Sequence, residues 1–141
     1  MKGPTLNLGV QARLLPVEDP GSQSTPALGS QVVLDLYDCH ADHLDDLEWV
    51  RENLNEAARR AGATIVESVF HKFAPWGISG VVVIAESHLA IHIWPEKHYA
   101  AVDIFTCGTS VNLDFAVQFL IDTFKAGRVS QNRFHRGGKL V

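Results

Sequence analysis

The sequence predicts an α+β domain built as a two-layer sandwich, in which helices cover one face of a mainly antiparallel sheet. Strand-like and helix-like segments follow one another in the order β-α-β-β-β-β-α-β. This order mixes hairpins with helical crossovers, and 141 residues suit one domain with one core. Because helices on one side leave the other face of the sheet uncovered, we expect that face to form a homodimer.

The N-terminal segment differs in composition from the rest of the chain. Residues 1–30 are rich in proline and glycine and show no sustained period of apolar positions, which predicts a flexible leader. The ordered domain is expected to span 31–141. Its first strand begins at Gln31, in the β-branched and aromatic run VVLDLY. Asp42 is the expected N-cap of the first helix, whose apolar positions recur at helical spacing up to Gly62.

Four strand-like segments follow the first helix, at 64–73, 80–85, 89–94 and 99–107. The second is a continuous apolar run, which is typical of a buried strand, and the third alternates apolar with other residues. Asn112 then opens a second helix with one apolar face. Residues 128–134 are expected to form a final strand at the edge of the sheet.

Composition argues against several classes of partner. A formal net charge of −4 gives no electrostatic reason to bind nucleic acid. The longest apolar run, Val81 to Ala85, is far shorter than the roughly 18 residues that span a membrane. No apolar segment typical of a secretion signal follows the first residues, and Cys39 and Cys107 are too few for a disulfide framework. We therefore expect a cytoplasmic protein with free thiols.

The segment Glu86-Ser87-His88 separates two strand-like runs, so we expect a tight turn there. In such a turn the Ser87 hydroxyl can approach the carbonyl group of Glu86, and strain at this bond would favour an N-to-O acyl shift. A serine at the end of an apolar run is also a common turn residue. From the residues alone, Ser87 is thus either a nucleophile or an ordinary turn residue.

His92 and Cys107 are further candidates for chemistry. His92 lies five residues after Ser87, and in one unbroken strand this odd separation places the two side chains on opposite faces. The two residues can therefore cooperate only if the chain turns between them, and His92 can otherwise be a core residue. Cys107 is either a small buried residue or a general acid. His88 and His92 would stand about 13 Å apart on a strand, too far to share a zinc ion, so no metal is expected.

The block 70–108 carries a resemblance to a known family. Its sequence, FHKFAPWGISGVVVIAESHLAIHIWPEKHYAAVDIFTCG, is similar almost throughout to the small prokaryotic S-adenosylmethionine decarboxylases. The similarity extends back to about Val32. The motifs ESH, IH-x-WPE and FTCG are specific in this order and spacing, although each alone would be uninformative. Members of this family are self-processing proenzymes that use a pyruvoyl group.

The resemblance implies that the chain cuts itself between Glu86 and Ser87. Ser87 would attack the Glu86 carbonyl to give an ester, and His92 would remove the serine α-proton so that the ester is eliminated. The products would be a β chain, 1–86, and an α chain, 87–141, that begins with a pyruvoyl group formed from Ser87. That group serves as the electron sink for loss of CO₂. The processed αβ units are expected to pair as a homodimer.

The resemblance also assigns supporting roles. Ser79 would assist processing, and Cys107 would reprotonate the carbanion that remains after CO₂ is lost. An aromatic face attracts both a flat base and a cationic sulfonium, and a carboxylate accepts hydrogen bonds from ribose hydroxyls. The residues implied in substrate binding are Phe73, Trp94 and Glu96.

Three functions are compatible with the sequence. The first is conversion of S-adenosylmethionine to its decarboxylated form, the aminopropyl donor for spermidine synthesis. The second is a pyruvoyl-dependent arginine or ornithine decarboxylase, because relatives of the fold use these substrates and Ile93 and Lys97-His98 depart from the family pattern. The third is a non-catalytic homologue that acts as a binding partner. Retention of the whole reactive set argues against the third: Ser79, Ser87, His92 and Cys107.

Overall fold

The computed structural model describes residues 28–108 and 110–138. Its elements, in chain order, are β1 (Gly29–Tyr37), α1 (Leu47–Arg60), β2 (Thr64–Lys72), β3 (Ile78–Ala85), β4 (Ser87–Trp94), a 3₁₀ turn (Pro95–Lys97), β5 (Tyr99–Cys107), α2 (Leu113–Phe124) and β6 (Arg128–Arg136). The six strands form one sheet in the order β2-β3-β4-β5-β1-β6. Every neighbouring pair is antiparallel. The predicted fold class is therefore confirmed, including the final edge strand.

The core lies between the sheet and the two helices. Along β4 and β5 every second side chain is buried, and these side chains, apolar except for Thr106, point to the helix-covered face. The helices contribute Leu54, Leu120 and Phe124, all fully buried. Burying a side chain of this size contributes roughly 1.5–3 kcal/mol, so this one layer provides most of the hydrophobic stabilisation of the sheet.

The first helix begins four residues later than the sequence suggested. Its N-cap is Asp46, whose carboxylate accepts hydrogen bonds from the backbone N–H groups of Glu48 and Trp49 at 3.1 and 3.2 Å. The expected cap, Asp42, lies in the turn that precedes the helix. The prediction of Asp42 was wrong because three aspartates precede the helix, Asp42, Asp45 and Asp46; each is an acceptable cap in sequence, and the turn geometry selects one of them.

The other element boundaries differ only slightly from the prediction. Asn112 caps α2 as expected, and its side chain accepts a hydrogen bond from the Phe115 N–H at 3.0 Å. The first strand begins at Gly29, two residues before Gln31, because it pairs with β5 and β6 on both sides from that point. Most of the leader expected for 1–30, residues 1–27, lies outside the described residues. Its last two residues, Gly29 and Ser30, belong to β1.

The second face of the sheet, called here the open face, carries the alternate side chains of each strand. Both helices pack on the other side, and no element within the described residues covers the open face. It carries exposed apolar side chains, with Val33, Val69 and Val83 37%, 53% and 39% exposed, and Asp103 lies between Val33 and Ala90 across the strands. Exposed apolar side chains on an uncovered sheet are typical of a surface that binds another molecule.

Candidate active site

Ser87 is the first residue of β4 and follows a tight turn at Glu86. Its hydroxyl donates a hydrogen bond to the carbonyl oxygen of Glu86. The turn expected between the two strands is present, and it places the hydroxyl beside the carbonyl group of the preceding peptide bond. This contact is the geometry from which a serine can attack its own backbone.

His92 does not approach Ser87 within one chain. The strand β4 runs without interruption from Ser87 to Trp94, so the turn required between the two residues does not occur. Five residues of strand separate them by about 16 Å, and the odd spacing places their side chains on opposite faces. Ser87 and His92 can therefore act together only if one of the two residues comes from another copy of the chain.

His92 instead pairs with Ser79 on the open face. The two residues are directly opposite on β4 and β3, and His92 Nδ1 lies 2.7 Å from Ser79 Oγ, within hydrogen-bonding distance. His71 is opposite Ser79 on the next strand, β2. Its imidazole completes a row of three polar side chains across three strands. With Nδ1 beside Ser79, Nε2 is the ring nitrogen that points away from this contact, and it is the proton acceptor in the tautomer whose Nδ1–H donates to Ser79.

The predicted substrate-binding residues lie at the same end of the sheet as His92. Phe73 follows β2 directly and is 48% exposed. Trp94 stands on the open face beside His92 and stacks on Tyr99, with the two ring centroids 5.4 Å apart. Glu96 is exposed in the 3₁₀ turn that follows Trp94. Five residues at this end of the sheet form what we call the His92 cluster: Phe73, Ser79, His92, Trp94 and Glu96.

Cys107 lies at the opposite end of the sheet, near Ser87. It is the last residue of β5 and is partly exposed. Two residues earlier on the same face, Phe105 is paired with His88, the neighbour of Ser87. We call Glu86, Ser87 and Cys107 the Ser87 cluster. The structure thus divides the predicted site residues into two groups at opposite ends of β4.

Sequence reasoning missed a polar network beside the Ser87 cluster. His88 Nε2 lies 3.7 Å from an Asp103 carboxylate oxygen, and its ring stacks on Phe105. Gln31 donates to Asp103 at 2.7 Å, and Arg136 donates to Gln31 at 2.6 Å. These residues come from four strands. The only sequence signal for them is that each alternates along its strand with buried neighbours, so that they share the open face. A pocket of about 390 Å³ at this end is lined by Leu28, Gln31, His88, Phe105, Arg136 and Gly137.

The other cysteine has no comparable setting. Cys39 is fully buried, and its thiol donates to the Leu36 carbonyl oxygen at 3.5 Å. Burial raises the pKa of this thiol to about 11, so it stays protonated near neutral pH. A protonated, buried thiol is a poor nucleophile, which fits a structural role for Cys39.

Two further properties concern the part of the chain that the structure describes. Neither helix there is long and apolar enough to cross a membrane. In the same residues, no group of three or more His, Cys, Asp or Glu side chains could hold a metal ion.

The fold and these side chains define a class of protein. It is an antiparallel α+β sandwich in which a turn between two strands places a serine hydroxyl beside the carbonyl group of the preceding residue, and in which the open face carries a separate serine–histidine pair. The family model for S-adenosylmethionine decarboxylase matches residues 30–137. The chain belongs to the S-adenosylmethionine decarboxylase family, as its motifs predicted.

Individual relatives agree with this assignment. The chain is 50% identical over 111 residues to an S-adenosylmethionine decarboxylase proenzyme of Acidithiobacillus ferrooxidans, covering 79% of this chain and 84% of the relative. It is 54% identical over 110 residues to the proenzyme of Pseudomonas aeruginosa, covering 78% and 69% of the two chains. The crystal structure of adenosylmethionine decarboxylase from Aquifex aeolicus matches with a TM-score of 0.74 at 36% identity, over 79% of this chain and 92% of that one.

Proposed function

We propose that this chain is a proenzyme that cuts itself between Glu86 and Ser87 and then decarboxylates S-adenosylmethionine with a pyruvoyl group formed from Ser87. The observation that carries the proposal is the Ser87 hydroxyl held against the Glu86 carbonyl in the turn before β4. Relatives that share about half of its sequence are named as proenzymes of this activity. Family membership favours this substrate over arginine or ornithine, and an enzyme over a non-catalytic homologue.

The cleavage can be written with each bond accounted for. Ser87 Oγ attacks the carbonyl carbon of Glu86, the amide C–N bond breaks, and the hydroxyl proton passes to the released amine. The resulting ester loses the Ser87 α-proton to a base, the Cβ–Oγ bond breaks, and Glu86 leaves as a carboxylate. Water then replaces nitrogen in the dehydrated residue, releasing ammonia and a pyruvoyl terminus. The residues present at the turn therefore fit formation of this group.

His92 is the proposed base for the α-proton, and a second copy of the chain supplies it. Within one chain about 16 Å of strand separates His92 from Ser87. A twofold axis that lies between two facing sheets and crosses the strands near Ala90 brings the Glu86–Ser87 turn, at the end of β4 in one copy, to the His92 end of β4 in the other. Each dimer then contains two equivalent sites, and each site takes residues from both copies.

The open face has the surface expected of such a dimer. Val33, Val69 and Val83 are exposed apolar side chains on this face, and no described element covers them. The polar clusters lie towards the two ends of β4, on either side of its middle residue Ala90. An isologous interface with an apolar core and polar clusters around it buries the exposed valines and closes the two sites at once.

The substrate binds between the two copies. When formed, the pyruvoyl group supplies a carbonyl that withdraws electrons from the bond to the departing CO₂. Cys107 donates the proton that replaces CO₂ on the substrate carbon. Phe73 and Trp94 present aromatic faces to the adenine and the sulfonium, and Glu96 accepts hydrogen bonds from the ribose hydroxyls. The exposure of all three side chains leaves them accessible to a ligand.

An intact mass spectrum under denaturing conditions tests the cleavage. We expect two chains of 86 and 141 − 86 = 55 residues, the shorter blocked to N-terminal sequencing. Ser87→Ala should give one full-length chain, and fragments from this variant would contradict the proposed bond. Release of CO₂ from S-adenosylmethionine, arginine and ornithine then tests the substrate. Release from arginine or ornithine alone would overturn the substrate assignment while keeping the cleavage.

A further inference from the structure

The loop 73–77 between β2 and β3 is held by one carboxylate. Asp45, in the turn before α1, accepts a hydrogen bond from the Gly77 N–H at 3.0 Å through Oδ1. Its Oδ2 lies 3.4 Å from the Lys72 ammonium. The loop is closed on itself by a bond from the Phe73 N–H to the Gly77 carbonyl at 2.8 Å. Asp45 therefore contacts the residue before the loop and the last residue in it.

This loop carries two aromatic side chains, Phe73 and Trp76, that are not buried in the core. Phe73 is 48% exposed and Trp76 is 51% exposed. The Phe73 ring meets His71 edge-on, with the ring centroids 4.5 Å apart. Since packing covers only half of the Phe73 side chain, the position of its ring depends on how firmly the loop backbone is held.

We infer that Asp45 is a positioning residue for substrate binding and acts through Phe73. By holding loop 73–77 against the start of α1, it orders the Phe73 ring before the ligand arrives, so that less freedom is lost on binding. This inference rests on the proposed function, in which Phe73 stacks on the adenine of the substrate. The Asp45 contacts lie at the His92 end of the sheet and do not involve the Ser87 cluster.

The two Asp45 contacts differ in strength, and this difference determines which variants should raise KM most. A half-exposed ion pair such as Asp45–Lys72 contributes little because water screens it. A hydrogen bond from a backbone N–H to a carboxylate is charge-assisted and stronger. Asp45→Asn keeps an oxygen acceptor for Gly77 and should have a small effect. Asp45→Ala loses both contacts and should have the largest effect, whereas Lys72→Met should have almost none.

Steady-state kinetics of the processed enzyme test the inference. We expect Asp45→Ala to raise KM for S-adenosylmethionine by about fivefold, with kcat and the rate of self-cleavage unchanged. Asp42→Ala, an exposed carboxylate three residues earlier, is the matched control and should leave KM unchanged. In a Phe73→Ala background, Asp45→Ala should raise KM no further. An unchanged KM, or the same rise in the Phe73→Ala background, would overturn the inference.

Hydrogen–deuterium exchange gives a readout that is independent of activity. The amides of loop 73–77 should exchange faster in Asp45→Ala than in the parent or in Asp42→Ala. If the parent protein does not decarboxylate S-adenosylmethionine, the proposed function has failed, and the affinity for adenosine replaces KM in the same comparison. If Asp45→Ala does not fold, Asp45→Leu, which also lacks an acceptor for the Gly77 N–H, is compared with the parent instead. Equal exchange in the parent and in the variant that lacks the acceptor would overturn the inference.

Discussion

Ser79 Oγ and His92 Nδ1 lie 2.7 Å apart across β3 and β4, whereas Ser87 lies at the other end of the strand that carries His92. This contact orients the His92 imidazole on the open face, with Nε2 pointing away from Ser79. The position of Ser87 also means that one folded chain cannot bring its own histidine to its own cleavage site. The division of the site between two copies leads to the first prediction.

Two inactive variants should restore processing when they share a dimer. Ser87→Ala lacks the nucleophile, His92→Ala lacks the base, and each alone should stay uncut. In a mixed dimer one site takes Ser87 from the His92→Ala chain and His92 from the Ser87→Ala chain, so this site is complete. We expect the His92→Ala chain to be cut when the two variants are co-expressed, as seen by intact mass.

The control is co-expression of two differently tagged His92→Ala chains, which should give no cleavage because no complete site can form. If the mixed sample also stays uncut while the two variants co-purify, the base does not come from the second copy, and the proposed division of the site is wrong.

Loss of the Ser79 hydroxyl should slow self-cleavage. Ser79→Ala removes the partner of His92 Nδ1, so the imidazole is no longer oriented, and we expect cleavage to slow by about tenfold. The rate is measured by following the full-length chain after synthesis. Ser68→Ala is the matched control, because Ser68 lies on the neighbouring strand and its hydroxyl donates to Asn55 on the helix side. Equal rates for the two variants would remove Ser79 from the processing machinery.

Cys107 should matter for turnover more than for cleavage. Cys107→Ala is expected to yield both chains but to lower kcat by about 100-fold, because the proton donor to the product is lost. Chain formation is measured by intact mass and kcat by CO₂ release. Full activity of the processed variant would show that another group delivers the proton.

Alkaline pH should weaken the fold through Cys39. Burial, with a smaller effect from Asp38, raises the pKa of this thiol from 9.0 to about 11, so the folded chain keeps a proton that the unfolded chain has released. The stability from this group is present below pH 9 and is lost as the pH rises from 9 to about 11. The loss at pH 10 should be about 1 kcal/mol.

Denaturant unfolding of the parent and Cys39→Ala at pH 8, 9 and 10 checks this expectation. The parent should lose free energy of unfolding more steeply than the variant over that range. Burial and a hydrogen bond to Asp35 also raise the pKa of Tyr99, but this effect is common to both chains and cancels. Parallel curves for the two chains would contradict the prediction.

The helix cap gives a direct test of one structural correction. Asp46→Ala removes the acceptor for the Glu48 and Trp49 N–H groups and should lower the free energy of unfolding by about 1 kcal/mol. Asp42→Ala, the cap expected from the sequence, should change it little. Thermal or denaturant unfolding of both variants measures the difference, and the reverse order would place the cap at Asp42.

The sequence by itself determined the element order and the family. Alternating apolar positions in β4 and helical spacing in α1 and α2 follow directly from the chain's need to bury one face of each element. The Glu86-Ser87 turn was visible as well, because it interrupts two apolar strands. Local rules of this kind depend on neighbours within a few residues, so they can be applied to the sequence without knowledge of the tertiary structure.

Only the tertiary structure decided which reactive residues lie together. The pairing of β3 with β4 joins Ser79 to His92, and the unbroken strand keeps Ser87 away from both. The contact of Asp45 with Gly77 spans 32 residues, and no local pattern predicts it. Such contacts depend on strand register and on the packing of elements that are distant in sequence. These are properties of the whole fold, because each register is selected by the burial of all the strands together.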